Sequence, residues 1–298
     1  MVIDKLIEKI KEKNNPTVVG IDTTFEYLPE DIRKKCNNID DVCSAIQKFN
    51  FDIIDAIYDI VPGVKVQVAY YEQYGYKGMQ VFEETLKYAK NKGLITIADV
   101  KRNDIGATSK AYSKAYLSGI EINGKKFIGF DSDFITVNPY LGVDGIEPFV
   151  DDCIKNDKGL FILVKTSNPS SDQLQNKMIG DKTVYQEVAT LVEQWGEKLV
   201  GKYGYSSIGA VVGATHKEEG ENIRKAHKKM FFLIPGYGAQ GGGAKDIKGI
   251  FDENRNGGIV NSSRGIICAY KEEQYKGLSY QEAARKACLK MKEDLLTI

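Results

Sequence analysis

Only two histidines and one tryptophan occur among 298 residues. So little imidazole removes most metal chemistry, and neither an HExxH element nor a paired-histidine ligand set is present. The five cysteines, Cys36, Cys43, Cys153, Cys268 and Cys288, are scattered with no CxxC pair, and read as reduced thiols. A charge of one sign is lacking as well. Lys plus Arg number 41 and Asp plus Glu 41, so no global field points to nucleic acid or an anionic membrane, and any anion must be bound locally. No apolar run approaches the roughly 18 residues of a membrane-spanning helix. The opening MVIDKLIEKIKEKNN spaces its apolar residues as one helix face rather than as a signal peptide. A helix over 3–14 and a cytoplasmic location are therefore expected. A GxSxG elbow and a Walker loop are missing, and no Rossmann fingerprint stands on a first βα turn.

What the chain has is repetition of a coarse kind. Short β-branched apolar runs at 17–22, 61–67, 93–101, 134–140, 159–166, 207–215, 230–236 and 257–265 alternate with longer segments of helical character. The helices are expected near 41–58, 72–91, 104–118, 144–154, 182–203, 217–228, 244–254 and 278–296. Eight such units, with no Pro/Gly/Ser-rich linker between them, predict a single (β/α)8 barrel domain (a TIM barrel) over 1–298 rather than an open doubly wound sheet. Two segments depart from the repeat. IEINGKKFIGFD (120–131) carries an Asn-Gly pair that predicts a small hairpin, and SNPSSDQLQNKM (167–178) is a polar loop longer than a connecting turn needs.

Candidate chemistry gathers at predicted strand ends. Asp99 and Lys101 are two apart on the third strand, so both side chains leave the same face, and Asp104 follows where the chain turns into a helix. The plainer reading is a solvated ion-pair cluster with Asp104 as a helix cap. IPGYGAQGGGAKD (234–246) and NSSRGI (261–266) follow the seventh and eighth strands, where barrels commonly bind phosphate, and Arg264 supplies a bidentate cation. Alternatively, the glycines only permit turns and Arg264 pairs with a surface carboxylate. Asp22, Lys65, Asn138, Thr166, Ser167 and Asn168 also fall at or near strand ends. Taken singly, Asp22 reads as a cap and Lys65 as a snorkelling surface residue. His216, His227, Trp195 and the tyrosines read as structural.

The segments DVKRNDIGATSKAY, VKTSNP, IPGYGAQGG and VNSSRG, in this order and spacing, resemble the orotidine 5′-phosphate decarboxylase family in its longer bacterial branch. The resemblance implies decarboxylation of orotidine 5′-phosphate to uridine 5′-phosphate without metal or organic cofactor, on a homodimer with shared active sites. It implies a catalytic array of Lys65, Asp99, Lys101 and Asp104, with Asp104 and Ile105 contributed by the partner subunit and Thr108 nearby. Asp22 and Lys65 would hold ribose hydroxyls, and Thr166 or Ser167 would bond the pyrimidine. Gln240 would bridge base and phosphate, while Pro235, Gly241 and Arg264 would belong to the phosphate grip. Two other readings remain at this point: a Mg-dependent sugar-phosphate decarboxylase or aldolase on the same barrel, and a non-catalytic nucleotide-phosphate sensor.

Overall fold

Buried β-branched runs cannot satisfy their backbone alone, and here they pair in parallel until the sheet has no edge left. In the computed structural model, which describes residues 1–238 and 243–298, eight such strands close into a barrel. They are β1 (Thr17–Gly20), β2 (Gly63–Gln67), β3 (Ile95–Arg102), β4 (Phe134–Val137), β5 (Gly159–Lys165), β6 (Ile208–Val212), β7 (Phe232–Ile234) and β8 (Gly258–Ser262). Each pairs with its sequence neighbours and β8 returns to β1. The longer helices are α1 (Val2–Lys13), α2 (Ile39–Ile57), α3 (Gly75–Asn91), α4 (Gly106–Ser113), α5 (Val143–Asn156), α6 (Val184–Trp195), α7 (Lys217–Ala226) and α8 (Tyr280–Leu295). The expected barrel is borne out. Among the described residues no helix is long and apolar enough to cross a membrane.

Helix α1 does not join the outer ring. Its Val2, Ile3, Leu6 and Ile7 are buried in one cluster with Ile95, Ile97, Phe134, Phe161, Phe231 and Ile259, closing the N-terminal mouth of the barrel. Phe134 and Phe161 stack there with ring centroids 5.1 Å apart. The charged face of α1 ties back to the outer structure, with Lys5 reaching Asp157 at 2.7 Å and Asp157 accepting from the Val2 amide.

Three expected helices need correction. The span 182–203 begins as a short hairpin, Met178–Ile179 with Lys182–Thr183, and α6 runs only from Val184 to Trp195 before a 3-10 turn at Glu197–Leu199. Thr183 and Gln186 form a capping box that starts the helix, and their sequence spacing was its signal. The span 104–118 divides into α4 and a π-helical turn at Lys114–Ser118. The span 244–254 holds a single turn of α-helix, Ala244–Ile247, and a 3-10 turn. The hairpin expected near 120–131 is present as Ile120–Ile122 with Lys125–Phe127, and Asn123 and Gly124 take φ of 50° and 75° at its turn.

Candidate active site

A cavity of about 740 Å³ opens at the C-terminal ends of the strands. Its floor is a chain of alternating charge built by three neighbouring elements. The Lys65 ammonium on β2 donates to Asp99 Oδ2 on β3 at 2.8 Å and lies 3.6 Å from Asp22 Oδ1 just beyond β1, while Lys101 Nζ reaches Asp99 Oδ1 at 2.7 Å. Lys65 is 5% exposed, which excludes the snorkelling alternative. The register between β2 and β3 sets Gln67 beside Asp99, and its amide adds a bond to Asp99 Oδ2 at 2.9 Å. From β4, Thr136 donates to Asp99 Oδ1 at 2.8 Å. Asp99 thus accepts four hydrogen bonds, which is what a nearly fully buried carboxylate needs in order to stay charged.

Electrostatics follow from that geometry. Burial pushes the Asp99 carboxyl up, but Lys65 and Lys101 outweigh it and hold the group well below the usual carboxylate range. Burial would likewise lower the Lys65 ammonium, and Asp22 and Asp99 reverse this, holding it above the ordinary lysine value. Asp99 and Lys65 are therefore both ionised throughout the neutral range.

The other side of the cavity is polar, and several of its groups have no partner among the described residues. Thr166, Ser167 and Asn168 line it after β5, Pro235 after β7, and Arg264 after β8. Arg264 is exposed into the cavity and has no carboxylate partner among the described residues. Asp22 Oδ1, Asn261 Oδ1 and Ser263 Oγ are buried in the cavity wall without a hydrogen-bond partner among the described residues. Ser167 owes its place to Gly213 past β6: a Cβ at that glycine would lie 2.8 Å from the Ser167 Cβ.

Not every expected residue meets here. Asp104, Ile105 and Thr108 lie at the start of α4 and do not line the cavity of their own chain, and Ile105 is 53% exposed. Asp104 does not cap α4, since Ile105 holds that position. Gln240 and Gly241 lie outside the described residues. Asn138 turns to the Tyr140 amide, and His216 sits outside the cavity beside Ser171 Oγ at 3.4 Å. His227 is buried with Nδ1 2.8 Å from Glu193.

Sequence reasoning passed over Gln67, Thr136, Gln175 and Asn261, neutral residues whose placement depends on strand register and loop folding. It also missed Lys165, which is fully buried and pairs with Asp172 at 2.7 Å and Asn176 at 3.0 Å, pinning the polar loop after β5. Gln175 on that loop accepts from the Thr166 amide at 2.9 Å and donates to its hydroxyl at 2.7 Å. A lysine at a strand end followed seven residues later by an aspartate was the available signal.

Fold and cavity together define a (β/α)8-barrel protein with a charged pocket at the catalytic ends of its strands. The chain belongs to the orotidine 5′-phosphate decarboxylase / HUMPS family, whose model matches residues 31–276. It is 47% identical over 296 residues to the orotidine 5′-phosphate decarboxylase of Clostridium acetobutylicum, covering 99% of each chain. With that of Caldicellulosiruptor saccharolyticus it shares 47% over 297 residues, covering 98% of this chain and 97% of the relative. The fold is similar to that of the Leishmania donovani OMP decarboxylase, with TM-score 0.74, 24% identity and 99% of both chains covered. The Plasmodium berghei orotidine 5′-monophosphate decarboxylase gives TM-score 0.77 at 22% identity, covering 98% of this chain and 99% of that one.

Proposed function

We propose that the protein, a single barrel domain over residues 1–298, decarboxylates orotidine 5′-phosphate to uridine 5′-phosphate in pyrimidine biosynthesis, with no metal or organic cofactor. The observation that carries this reading is the Lys65–Asp99–Lys101 chain on one face of the cavity with Arg264 across from it. Arg264, with Pro235 and Gly241, holds the phosphate, and Gln240 bridges phosphate and base. Asp22 and Lys65 hold the ribose hydroxyls, and Ser167, with Thr166 beside it, bonds the base.

The bond between C6 and the carboxyl carbon breaks, its electron pair stays on C6, and CO2 leaves. That vinylic carbanion has little delocalisation, so the barrier falls only where positive charge waits for it. Lys101 supplies the charge, then transfers an Nζ proton to C6 and regains one from solvent. Asp99 stands beside the departing carboxylate, and its four hydrogen bonds prevent it from taking the proton itself. Binding energy from the distant phosphate serves to close the site and expel water.

The array is completed by Asp104, Ile105 and Thr108 of a second copy in a homodimer. Support comes from an apolar surface around the start of α4, where Ile105, Tyr140, Leu141 and Val143 are exposed at 53%, 76%, 44% and 50%. Five free cysteines agree with a reducing cytoplasm. In the metal-dependent alternative a divalent cation would sit among carboxylates, but the Lys65 ammonium holds the space between Asp22 and Asp99.

The test is the loss of orotidine 5′-phosphate absorbance in EDTA-containing buffer. Turnover by the wild type is expected to persist there. A folded wild type that binds uridine 5′-phosphate but turns over nothing would overturn the proposal in favour of a nucleotide sensor. Activity restored only by Mg2+ would favour the sugar-phosphate chemistry.

A further inference from the structure

Between Ala98 and Arg102 the pairing of β3 with β4 slips. Ala98 pairs with Ile135 and Arg102 with Val137, so Asp99, Val100 and Lys101 together stand opposite the single residue Thr136. Such a bulge leaves backbone donors without ladder partners. Here the Thr136 hydroxyl replaces the ladder, accepting from the Val100 amide at 3.0 Å and the Lys101 amide at 2.9 Å. Its own hydrogen goes to Asp99 Oδ1 at 2.8 Å. One donor and two lone pairs are all a hydroxyl has, so Thr136, though it borders the cavity, has nothing left for a ligand.

The bulge has a second consequence. Lys101 takes φ of 44°, a left-handed conformation that a side-chain-bearing residue holds only when its surroundings fix it. That local twist aims the Lys101 ammonium at Asp99 and the cavity, and the two hydrogen bonds to Thr136 are the contacts that hold the twisted backbone. Thr136 is 1% exposed, so water cannot take over these bonds.

We propose that Thr136 is a positioning residue of the decarboxylation: its hydroxyl builds the β3 bulge that aims Lys101 at the substrate, and orients Asp99 beside it. This rests on the decarboxylase reading. The residue makes no substrate contact, so its removal disorders the catalytic pair while the phosphate, ribose and base contacts remain. A displacement of an ångström or so in a catalytic group costs on the order of 10²-fold in rate.

The experiment compares wild type, Thr136→Val, Thr136→Ala and Thr136→Ser by kcat, KM and the acid limb of the kcat/KM profile, with uridine 5′-phosphate titration to count folded sites. The charged groups facing Asp99 are Lys65 on β2 and Lys101 on its own strand, with Asp22 behind Lys65, and β4 offers only the neutral Thr136. Removing one donor therefore moves the acid limb upward in the Val and Ala variants but not in Ser. The expected result is a kcat lowered about 10²-fold per folded site with KM within about threefold, and recovery in Ser to within about threefold of wild type. Thr136→Ala supplies the comparison should the Val variant not fold. A kcat per folded site within threefold of wild type in a hydroxyl-free variant, or an unmoved acid limb, overturns the role of Thr136 alone. Absence of turnover in the wild type overturns the decarboxylase reading and this inference with it.

Discussion

The two ends of the barrel interior are made from the same faces of the same strands, yet they have opposite character. Along β3 the inward positions read Ile95, Ile97, Asp99 and Lys101; β4 gives Phe134 then Thr136, and β8 gives Ile259 then Asn261. At the lower end these residues join α1 in a dry apolar plug, and at the upper end they face the cavity. A period-two strand lets a step of two residues convert core into site, so stability and chemistry are separated by about 7 Å along each strand. The lower end can then hold the frame on which the costly buried charges of the upper end depend.

The separation can be broken from either side. The largest effect is expected at the top: Lys101→Ala should lower kcat per folded site by at least about 10³-fold, with a lowering of the unfolding midpoint confined to the loss of one of the four hydrogen bonds to Asp99. Absorbance assays beside thermal melts check both. At the bottom, Leu6→Ala should cost roughly 2–5 kcal/mol of stability, leaving kcat within about twofold at a temperature where the protein stays folded. A matching loss of kcat per folded site would show that the ends are coupled.

Arg264→Ala should reduce kcat/KM for the nucleotide by about 10 to 10²-fold but leave the nucleoside, assayed without its phosphate, unaffected. Equal losses for both substrates would remove Arg264 from the phosphate grip. The smallest effect is on pH. The depressed Asp99 carboxyl contributes stability that is complete above its unfolded value near pH 4 and is lost as pH falls toward its lower folded value. The raised Lys65 contributes stability that is complete below its ordinary value and is lost only in strong alkali. The stability difference between wild type and Asp99→Asn should therefore stay level from about pH 5 to 9 and narrow below about pH 4, as urea unfolding would record. A slope within the neutral range would contradict the cluster as described.

The sequence revealed what depends on short-range pattern. Eight β-branched runs and the Asn123-Gly124 turn rest on local geometry, and both appear in the structure; Asp99 and Lys101 do meet, but through a bulge rather than through the plain i, i+2 alternation. Features made by long-range register stayed hidden. Thr136 meets Asp99 across 37 residues, and nothing near Thr136 announces the bulge it stabilises. Helix α1 was readable as amphipathic, but not as the plug of the barrel, because periodicity says which face is buried and not what covers it. Lys165 went unremarked because its partner, Asp172, reaches it only through the folding of the loop after β5.

The close approach of Gly213 to Ser167 carries a consequence for how this protein can change over generations. One position faces the cavity and the other only makes room for it, so neither is free to drift alone. In a library randomised at both, survivors should fall into paired solutions, with alanine or larger at 213 tolerated only where the loop after β5 has been rebuilt. A search for altered base preference would therefore gain more from varying the two strand ends together than from saturating Ser167 by itself.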